Sequence, residues 1–291
     1  MVRARGLLER AGDIDADRLL RAYERGLRAL TGAASLAEGL GQLFKPADRV
    51  GIKINTIGGR KLSTRPEVAL GLASAFQGTG VSEKNILIWD RTNRELREAG
   101  FTLSLGSSGL KVYGTDTDGA GYDDELYAKD NIGSLFSSIQ SRYATASISL
   151  ALLKDHGLAG ITAGMKNYFG AIHNPNKYHD DHCDPFVAEV FAAPPVETRH
   201  KLTILDALLV QYHRGPSFHA QWAAKAEKLV FGIDPVATDA VGWRMIDALR
   251  AAKGLPTLAE EDREPRYLST AALMGLGTAA AEAIEVVEEE A

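Results

Sequence analysis

The chain has 291 residues, a formal net charge of −5, and 45% hydrophobic and 24% charged residues. This composition is ordinary for a soluble globular protein, and the length allows a core that needs no disulfide or metal. The negative charge argues against nucleic acid or an anionic membrane surface as the main partner. No apolar run approaches the roughly 20 residues of a membrane span.

The N-terminal region predicts a helix without a signal sequence. Residues 14–31 carry apolar side chains at helical spacing and are followed by Gly32, which favours a helix end. We expect residues 1–34 to form a helical extension packed on a core, and residues 35–291 to form a single α/β domain. The first 20 residues hold no apolar signal core, so the chain as written would be cytoplasmic. A leader removed from a longer chain would leave no trace.

The next segment predicts a βαβ unit. Residues 48–55 and 85–90 are short apolar runs typical of buried strands, and a helix starting at Pro66 and ending near Gly78 lies between them. A polar helix start follows the second strand. This order implies parallel strands with a right-handed crossover. Residues 114–125 are acidic and glycine-rich but lack the spacing of an EF-hand, so we expect a solvated loop there.

The second half of the chain alternates strands and helices. Residues 146–154 and 201–210 predict strands, the latter with Asp206 at or near its end. Asp184 and Asp234 each precede a proline, which predicts an N-cap and a first-turn proline for two helices. Residues 271–283 look helical and 284–289 look like a last strand. The predicted fold class is α/β, a mostly parallel, Rossmann-like sheet with helices on both faces.

Polar side chains follow two of the predicted strands where each strand ends. Lys53 and Asn55 follow the first strand of the βαβ unit, and Asp90 and Arg91 follow the second. Because ligands of such sheets bind beyond the carboxyl ends of the strands, these side chains are candidates for a binding site.

Residues 150–185 carry the densest chemistry in the chain. They hold four of the seven histidines (His156, His173, His179 and His182), the cysteine Cys183, and the lysines Lys154 and Lys166 among recurring glycines. Three interpretations compete: ligands of a metal ion, an anion site for phosphate or carboxylate, or a solvent-facing loop. The spacing matches neither a cysteine-pair zinc site nor HExxH. We favour a functional site that includes Lys154 and Lys166.

Three local expectations concern ionisation and capping. Lys166 follows a glycine-bearing, partly apolar turn, so burial should lower its pKa and suit it for covalent or acid–base chemistry. Cys183 precedes a predicted helix start, where the helix dipole lowers the pKa of a thiol. Asp239, near the start of the helix that follows Asp234, should cap a backbone group.

Four sequence blocks together resemble a known family. VGIKIN, NILIWDR, LLKDHGLAGITAGMKNYFG and GIDPVATDAVG are similar to the domain of unknown function (DUF) 362 family, over about residues 30–280. The combination of K-x-H, T-x-x-x-K-N and D-P-V-A-x-D is specific, whereas each motif alone is weak. The resemblance does not supply an established activity. Some members carry ferredoxin-type cysteine clusters; with Cys183 alone, we expect no iron–sulfur cluster here.

A remoter resemblance suggests a mechanism. His156, Lys166 and His182 reproduce the spacing of active-site residues in the nickel-dependent lactate racemases. The resemblance implies that Lys166 tethers a cofactor or anchors its phosphate, that His182 binds metal and that His156 transfers a proton. The chain departs from that family around Lys166, where it reads MKN, and it has no histidine between Asp90 and Lys154.

These observations predict a metal-dependent enzyme that acts on a small carboxylate-bearing substrate by proton transfer, like a racemase-type isomerase. The alternative is a non-catalytic binding protein for a metal or phosphorylated ligand. The predicted partner is a small anionic molecule, with no nucleic acid or membrane span; the oligomeric state and the metal (nickel, iron or zinc) stay open. The roles are catalytic for His156 and Lys166, anion-binding for Lys53, Asn55, Arg91, Lys154 and Asn167, and metal-binding for His182, His179 and Cys183.

Overall fold

A computed structural model describes residues 1–8 and 14–291. In these residues eleven strands and eight α-helices follow one another along the chain. The strands are β1 (Val2–Arg3), β2 (Val50–Lys53), β3 (Ile86–Trp89), β4 (Lys111–Val112), β5 (Tyr127–Lys129), β6 (Ile132–Ser134), β7 (Ala146–His156), β8 (Gly160–Thr162), β9 (His200–Gln211), β10 (Ala223–Gly232) and β11 (Glu289–Glu290). The helices are α1 (Ala16–Thr31), α2 (Leu36–Leu43), α3 (Pro66–Ser74), α4 (Asn93–Glu98), α5 (Phe186–Phe191), α6 (Pro194–Glu197), α7 (Pro235–Ala251) and α8 (Tyr267–Leu273).

The central sheet has a parallel half and an antiparallel half. Its order is β11-β1-β10-β9-β7-β2-β3-β4, with β8 hairpinned onto β7. Strands β4, β3, β2, β7 and β9 run parallel to one another, whereas β10 pairs antiparallel with β9 and with β1. Numbered in chain order, the five parallel strands follow the 3-2-1-4-5 order of a doubly wound sheet, whose switch point lies between β2 and β7. The predicted α/β class with a mostly parallel sheet is confirmed.

Alternating side chains of the strands supply two cores, one on each face of the sheet. In β3, Ile86 and Ile88 pack into one apolar cluster with α1 and α3, whereas Leu87 and Trp89 pack into the other with α5, α7 and α8. Successive side chains of a strand point to opposite faces, so a strand covered on both sides is apolar throughout. Helices therefore cover both faces of the sheet, as predicted.

Helix boundaries follow the capping residues. The side chain of Asp15 accepts a hydrogen bond from the backbone N–H of Arg18 at the start of α1, and Gly32 ends that helix with a φ of 72°. Asp234 caps α7 in the same way, and Pro66 occupies the first turn of α3. The N-terminal segment that contains α1 also contributes β1, which lies between β11 and β10 in the sheet and which the sequence did not predict. Residues 9–13 of this segment lie outside the described part.

Several predicted boundaries are wrong. Pro185 occupies the N-cap of α5, and the side chain of Asp184 caps nothing there. Asp206 lies in the middle of β9 because that strand is longer than the apolar run. Helix α3 ends at Ser74 rather than near Gly78. The C-terminal prediction fails most: α8 ends at Leu273 before a turn, and only Glu289–Glu290 form a strand.

Candidate functional site

A cavity of about 380 Å³ opens at the carboxyl ends of β2, β3 and β7. This is the switch point of the sheet, where the strand order places a crevice between neighbouring crossovers. Eight of the ten predicted site residues line the cavity: Lys53, Asn55, Arg91, Lys154, His156, Lys166, Asn167 and His179. His182 and Cys183 do not line it.

Lys53 and Asp90 form a buried ion pair on one side of the cavity. The Nζ of Lys53 lies 2.6 Å from Oδ1 of Asp90, and also donates to the Ile54 carbonyl and to Oδ1 of Asn167. Asn167 in turn donates to the Lys53 carbonyl, at 2.9 Å. A Cβ at Gly170 would lie 2.6 Å from this Nζ, so a larger residue at that position would displace the ammonium of Lys53. The hydrogen bonds of Lys53 and Asn167 therefore hold β2 against the 166–171 turn, with the lysine charge balanced.

Lys154 is a second buried lysine and lacks such a partner. Its Nζ donates to Oδ1 of Asn55 at 3.2 Å and to the Leu62 carbonyl at 3.3 Å, and it forms no salt bridge with any described residue. Burial lowers the pKa of Lys154 to about 8, against a smaller opposing effect of Asp90. Desolvation of an ammonium without a neighbouring anion disfavours its charged form. The site thus holds a buried lysine that no carboxylate of the described residues pairs with.

Lys166 begins a 3₁₀ turn (Lys166–Ala171) on another wall of the cavity. Its Nζ lies 3.2 Å from Nε2 of His179, 3.6 Å from Sγ of Cys183 and 4.0 Å from the ring centroid of Phe169. Burial lowers the pKa of Lys166 to about 8, with Cys183 opposing the shift. The sequence-based expectation of a lowered Lys166 pKa is confirmed. A pKa near neutral pH suits this amine for acid–base work.

Asp239 fixes the turn that presents Lys166. Its carboxylate accepts hydrogen bonds from the backbone N–H groups of Gly164 and Met165, at 2.7 and 2.9 Å. The capping role expected for this buried aspartate is confirmed, although the capped segment lies about 75 residues away in the chain.

His156 ends β7 and faces the cavity as a neutral ring. Its Nδ1 lies 3.3 and 3.1 Å from the backbone N–H groups of Leu158 and Ala159, so that nitrogen is an acceptor and the ring proton belongs on Nε2. Burial, followed by the charge of Lys166, lowers the pKa of His156 to about 2. His156 also stacks on His179, with ring centroids 5.6 Å apart. At neutral pH this side chain offers a hydrogen-bond donor rather than a proton-accepting base.

The pKa of Cys183 is raised, whereas the sequence predicted a lowered one. Its thiol is fully buried in the apolar cluster beneath α5, and burial raises the pKa of Cys183 even though Lys166 lies beside it. The expectation of a lowered pKa placed Cys183 next to a helix start, but α5 begins only at Phe186, three residues further along the chain. His182 has a left-handed φ of 57°, and its buried Nδ1 has no hydrogen-bond partner among the described residues.

The structure does not group the predicted metal ligands His179, His182 and Cys183 around one point. The ammonium of Lys166 lies within 3.2 Å of His179 and 3.6 Å of Cys183, so a cation already occupies the space between two of the three donors. In residues 1–8 and 14–291, no three His, Cys, Asp or Glu side chains are placed to hold a metal ion. A metal needs several such donors converging on one point.

A buried charge network behind the cavity was missed from the sequence. Asp155 accepts from Arg263 at 2.5 Å and from the Gly215 backbone N–H at 2.7 Å, and Arg250 lies 3.8 Å away. Asp155 therefore ties the end of β7 to a loop whose Pro216 lines the cavity. No local pattern could reveal this, because the arginines lie about 100 residues from Asp155.

Residues 50–244 match the family described as a domain of unknown function, DUF362. The match spans β2 to the middle of α7 and contains every side chain of the cavity. The chain belongs to the DUF362 family. No curated protein matches this DUF362 chain.

Among solved structures, the chain is similar to the crystal structure of a structural-genomics target from Thermotoga maritima. The identity is 8% and the TM-score is 0.43, over 83% of this chain and 60% of that one. This chain thus spans about three fifths of the length of that neighbour. None of these comparisons confirms the resemblance to the lactate racemases, which stays a prediction. No helix in the described parts of the chain combines the length and apolar character needed to cross a bilayer.

Proposed function

We propose that this DUF362 protein binds a carboxylate-bearing small molecule in the cavity and moves a proton to or from it. One observation carries the proposal: the buried ammonium groups of Lys154 and Lys166 share a cavity, and neither forms a salt bridge with a described carboxylate. Burying an ionised group without a counter-ion is costly, so a ligand anion would complete the site.

The charge of the lining supports an anion. Four basic side chains line the cavity, Lys53, Arg91, Lys154 and Lys166, against the two acidic side chains Asp90 and Glu95. Asp90 already neutralises Lys53. Lys154 is therefore the proposed anchor of the carboxylate, through charge-assisted hydrogen bonds worth about 1.5–3 kcal/mol each. Arg91, which donates to the His173 carbonyl at 3.0 Å, adds positive charge at the cavity wall, and Asn55 orients Lys154.

Lys166 and His156 divide the chemistry. Lys166, with its pKa lowered to about 8, is the proposed acid–base residue. His156 is the proposed donor, through Nε2–H, to negative charge that develops on the substrate, because its ring stays neutral at moderate pH and its Nδ1 already accepts backbone hydrogen bonds. Proton exchange at a carbon beside the carboxylate is the step that isomerisation and racemisation share.

The test is solvent exchange. Wild type would be incubated in D₂O with a panel of carboxylic acids, and deuterium incorporation beside the carboxylate followed by NMR. We expect incorporation with wild type and its loss in Lys166→Met, with circular dichroism unchanged. Tight binding of an acid with no exchange in wild type would instead support the alternative, a non-catalytic binding protein.

A metal-dependent form of this reaction stays a prediction. The partnerless Nδ1 of His182 is the one feature that favours it, whereas the position of Lys166 between His179 and Cys183 opposes it. We therefore assign no step to a metal ion. Plasma mass spectrometry of purified wild type and His182→Ala decides: stoichiometric nickel, iron or zinc lost in the variant would establish a metal site, and wild type unable to take up added metal would exclude one there.

A further inference from the structure

The three lysines of the cavity lie at its floor. Lys154 is 0% exposed, Lys53 1% and Lys166 6%, and the polar neighbours Asn167 and Asp90 are almost as buried. A carboxylate that reaches Lys154 and Lys166 must therefore enter deeply. The depth matters because a charge-assisted hydrogen bond strengthens where water is excluded.

The mouth of the cavity is apolar. Ile57 is 67% exposed and Leu158 is 51% exposed, and both line the cavity, as does the exposed Pro216. The three side chains come from three separate loops, after β2, after β7 and after β9. Large apolar side chains held in water around a polar floor are typical of a site that covers an apolar part of a ligand.

Buried non-polar walls connect mouth and floor. Phe169 and Pro175 line the cavity and are buried, and Phe169 packs edge-on against His179 with ring centroids 5.6 Å apart. The volume of about 380 Å³ falls within the range of about 300–1,000 Å³ of pockets that enclose drug-sized ligands. A three-carbon hydroxy acid would leave most of this space to water.

We infer that the ligand is an amphipathic carboxylate, with an aryl or branched alkyl body, that binds with its carboxylate at Lys154 and its apolar body between Phe169, Ile57 and Leu158. This inference rests on the proposed function, which it narrows to one substrate class. It separates that class from small polar hydroxy acids and from inorganic phosphate, which would need the floor alone.

Calorimetric titration with three probes tests the inference: phenylacetate, acetate and inorganic phosphate. We expect phenylacetate to bind at least roughly tenfold more tightly than acetate or phosphate, since its ring is removed from water when it contacts the apolar walls and mouth. Leu158→Ser should weaken phenylacetate roughly fivefold and leave acetate unchanged. Leu126→Ser is the matched control, because Leu126 is 61% exposed and does not line the cavity.

The outcomes separate the inference from the proposed function. If acetate or phosphate binds wild type as tightly as phenylacetate, the amphipathic class is overturned while the anion site stands. If Leu158→Ser and Ile57→Ser both leave phenylacetate affinity unchanged, the apolar mouth is not the site of the ring and the inference fails. If Lys154→Met retains full affinity for phenylacetate, or if no carboxylate binds wild type, the proposed function fails as well.

Discussion

Three buried lysines lie at the same edge of the sheet, and they differ in whether a carboxylate pairs with them. Lys53 pairs with Asp90 at 2.6 Å, and the carboxylate is completed by the backbone N–H and hydroxyl of Thr56. Among the described residues, the hydrogen-bond partners of Lys154 and Lys166 are carbonyl, amide, imidazole and thiol groups. Lys53 and Asp90 thus form an ion pair whose charges balance without a ligand. Lys154 and Lys166 instead leave positive charge facing a cavity, which is what an anion-binding site requires before its ligand binds.

The largest difference in the free energy of unfolding should appear between Lys53→Met and Lys154→Met. Lys53→Met leaves Asp90 as a buried carboxylate without its cation, so the free energy of unfolding should fall by about 3–5 kcal/mol. Lys154→Met removes an unpaired charge and should lower it by no more than about 1 kcal/mol. Urea denaturation of both variants measures this. Equal losses would mean that Lys154 has a structural counter-charge, and the contrast between the two lysines would vanish.

The two unpaired lysines should differ in kinetics. Lys166→Met should reduce solvent exchange by at least about 100-fold, the loss expected of an acid–base residue, and should weaken ligand binding less than Lys154→Met does. Lys154→Met should weaken ligand binding by roughly tenfold or more, because it removes a charge-assisted hydrogen bond. Titration calorimetry and exchange rates of both variants give the comparison. A binding defect in Lys166→Met with a normal rate per bound ligand would reverse the two roles.

Stability should increase with pH in alkaline solution. The pKa of Lys154 and of Lys166 is about 8 in the folded protein and 10.5 ordinarily. The unfolded chain therefore binds more protons between these values, and the free energy of unfolding should rise from about pH 8 to pH 10. The rise should reach about 1.4 kcal/mol per pH unit for each lysine. Denaturation at pH 7.5 and 9.5 should show a smaller rise in Lys154→Met; an identical rise would contradict an unpaired Lys154.

The pH profile of the rate tests the ionisation of the cavity. At saturating ligand, whose carboxylate keeps Lys154 protonated, exchange should increase about tenfold per pH unit until about pH 8, where Lys166 becomes neutral, and then level off. No inflection should appear near pH 6.5, because the His156 ring stays neutral down to a pKa of about 2. Initial rates from pH 5.5 to 9.5 provide the profile. An inflection near pH 6.5 that disappears in His156→Gln would show that His156 titrates and acts as the base.

The smallest effect on the free energy of unfolding should come from an exposed ion pair. Arg94 and Glu98 approach to 4.0 Å one helical turn apart, with both side chains more than half exposed. Water screens this pair, so Glu98→Gln should change the free energy of unfolding by less than roughly 0.5 kcal/mol. The same urea series measures it. A loss comparable with that of Lys53→Met would indicate that burial does not govern the effect.

The apolar runs and the caps of this sequence determined most of the fold. Residues 86–89 are apolar on both faces, which requires a strand covered by helices on each side, and Asp234 with Pro235 determined the start of α7. These features are local, because the hydrogen bonds of a strand or cap depend on nearby residues. The polar residues after the strands also identified the edge of the sheet where the cavity lies, because parallel strands bring their carboxyl ends together.

Tertiary structure decided which charges are paired. Lys53, Lys154 and Lys166 are alike in sequence, yet only Lys53 meets a carboxylate, supplied by Asp90 from the neighbouring strand. The neutral state of His156 depends on its burial and on the charge of Lys166, and the raised pKa of Cys183 depends on the apolar cluster around it. The apolar mouth combines three loops that are distant in the chain. The ionisation of these groups and the shape of the cavity depend on distances between segments that are far apart in the chain. Those distances are set by the fold and cannot be read from local sequence patterns.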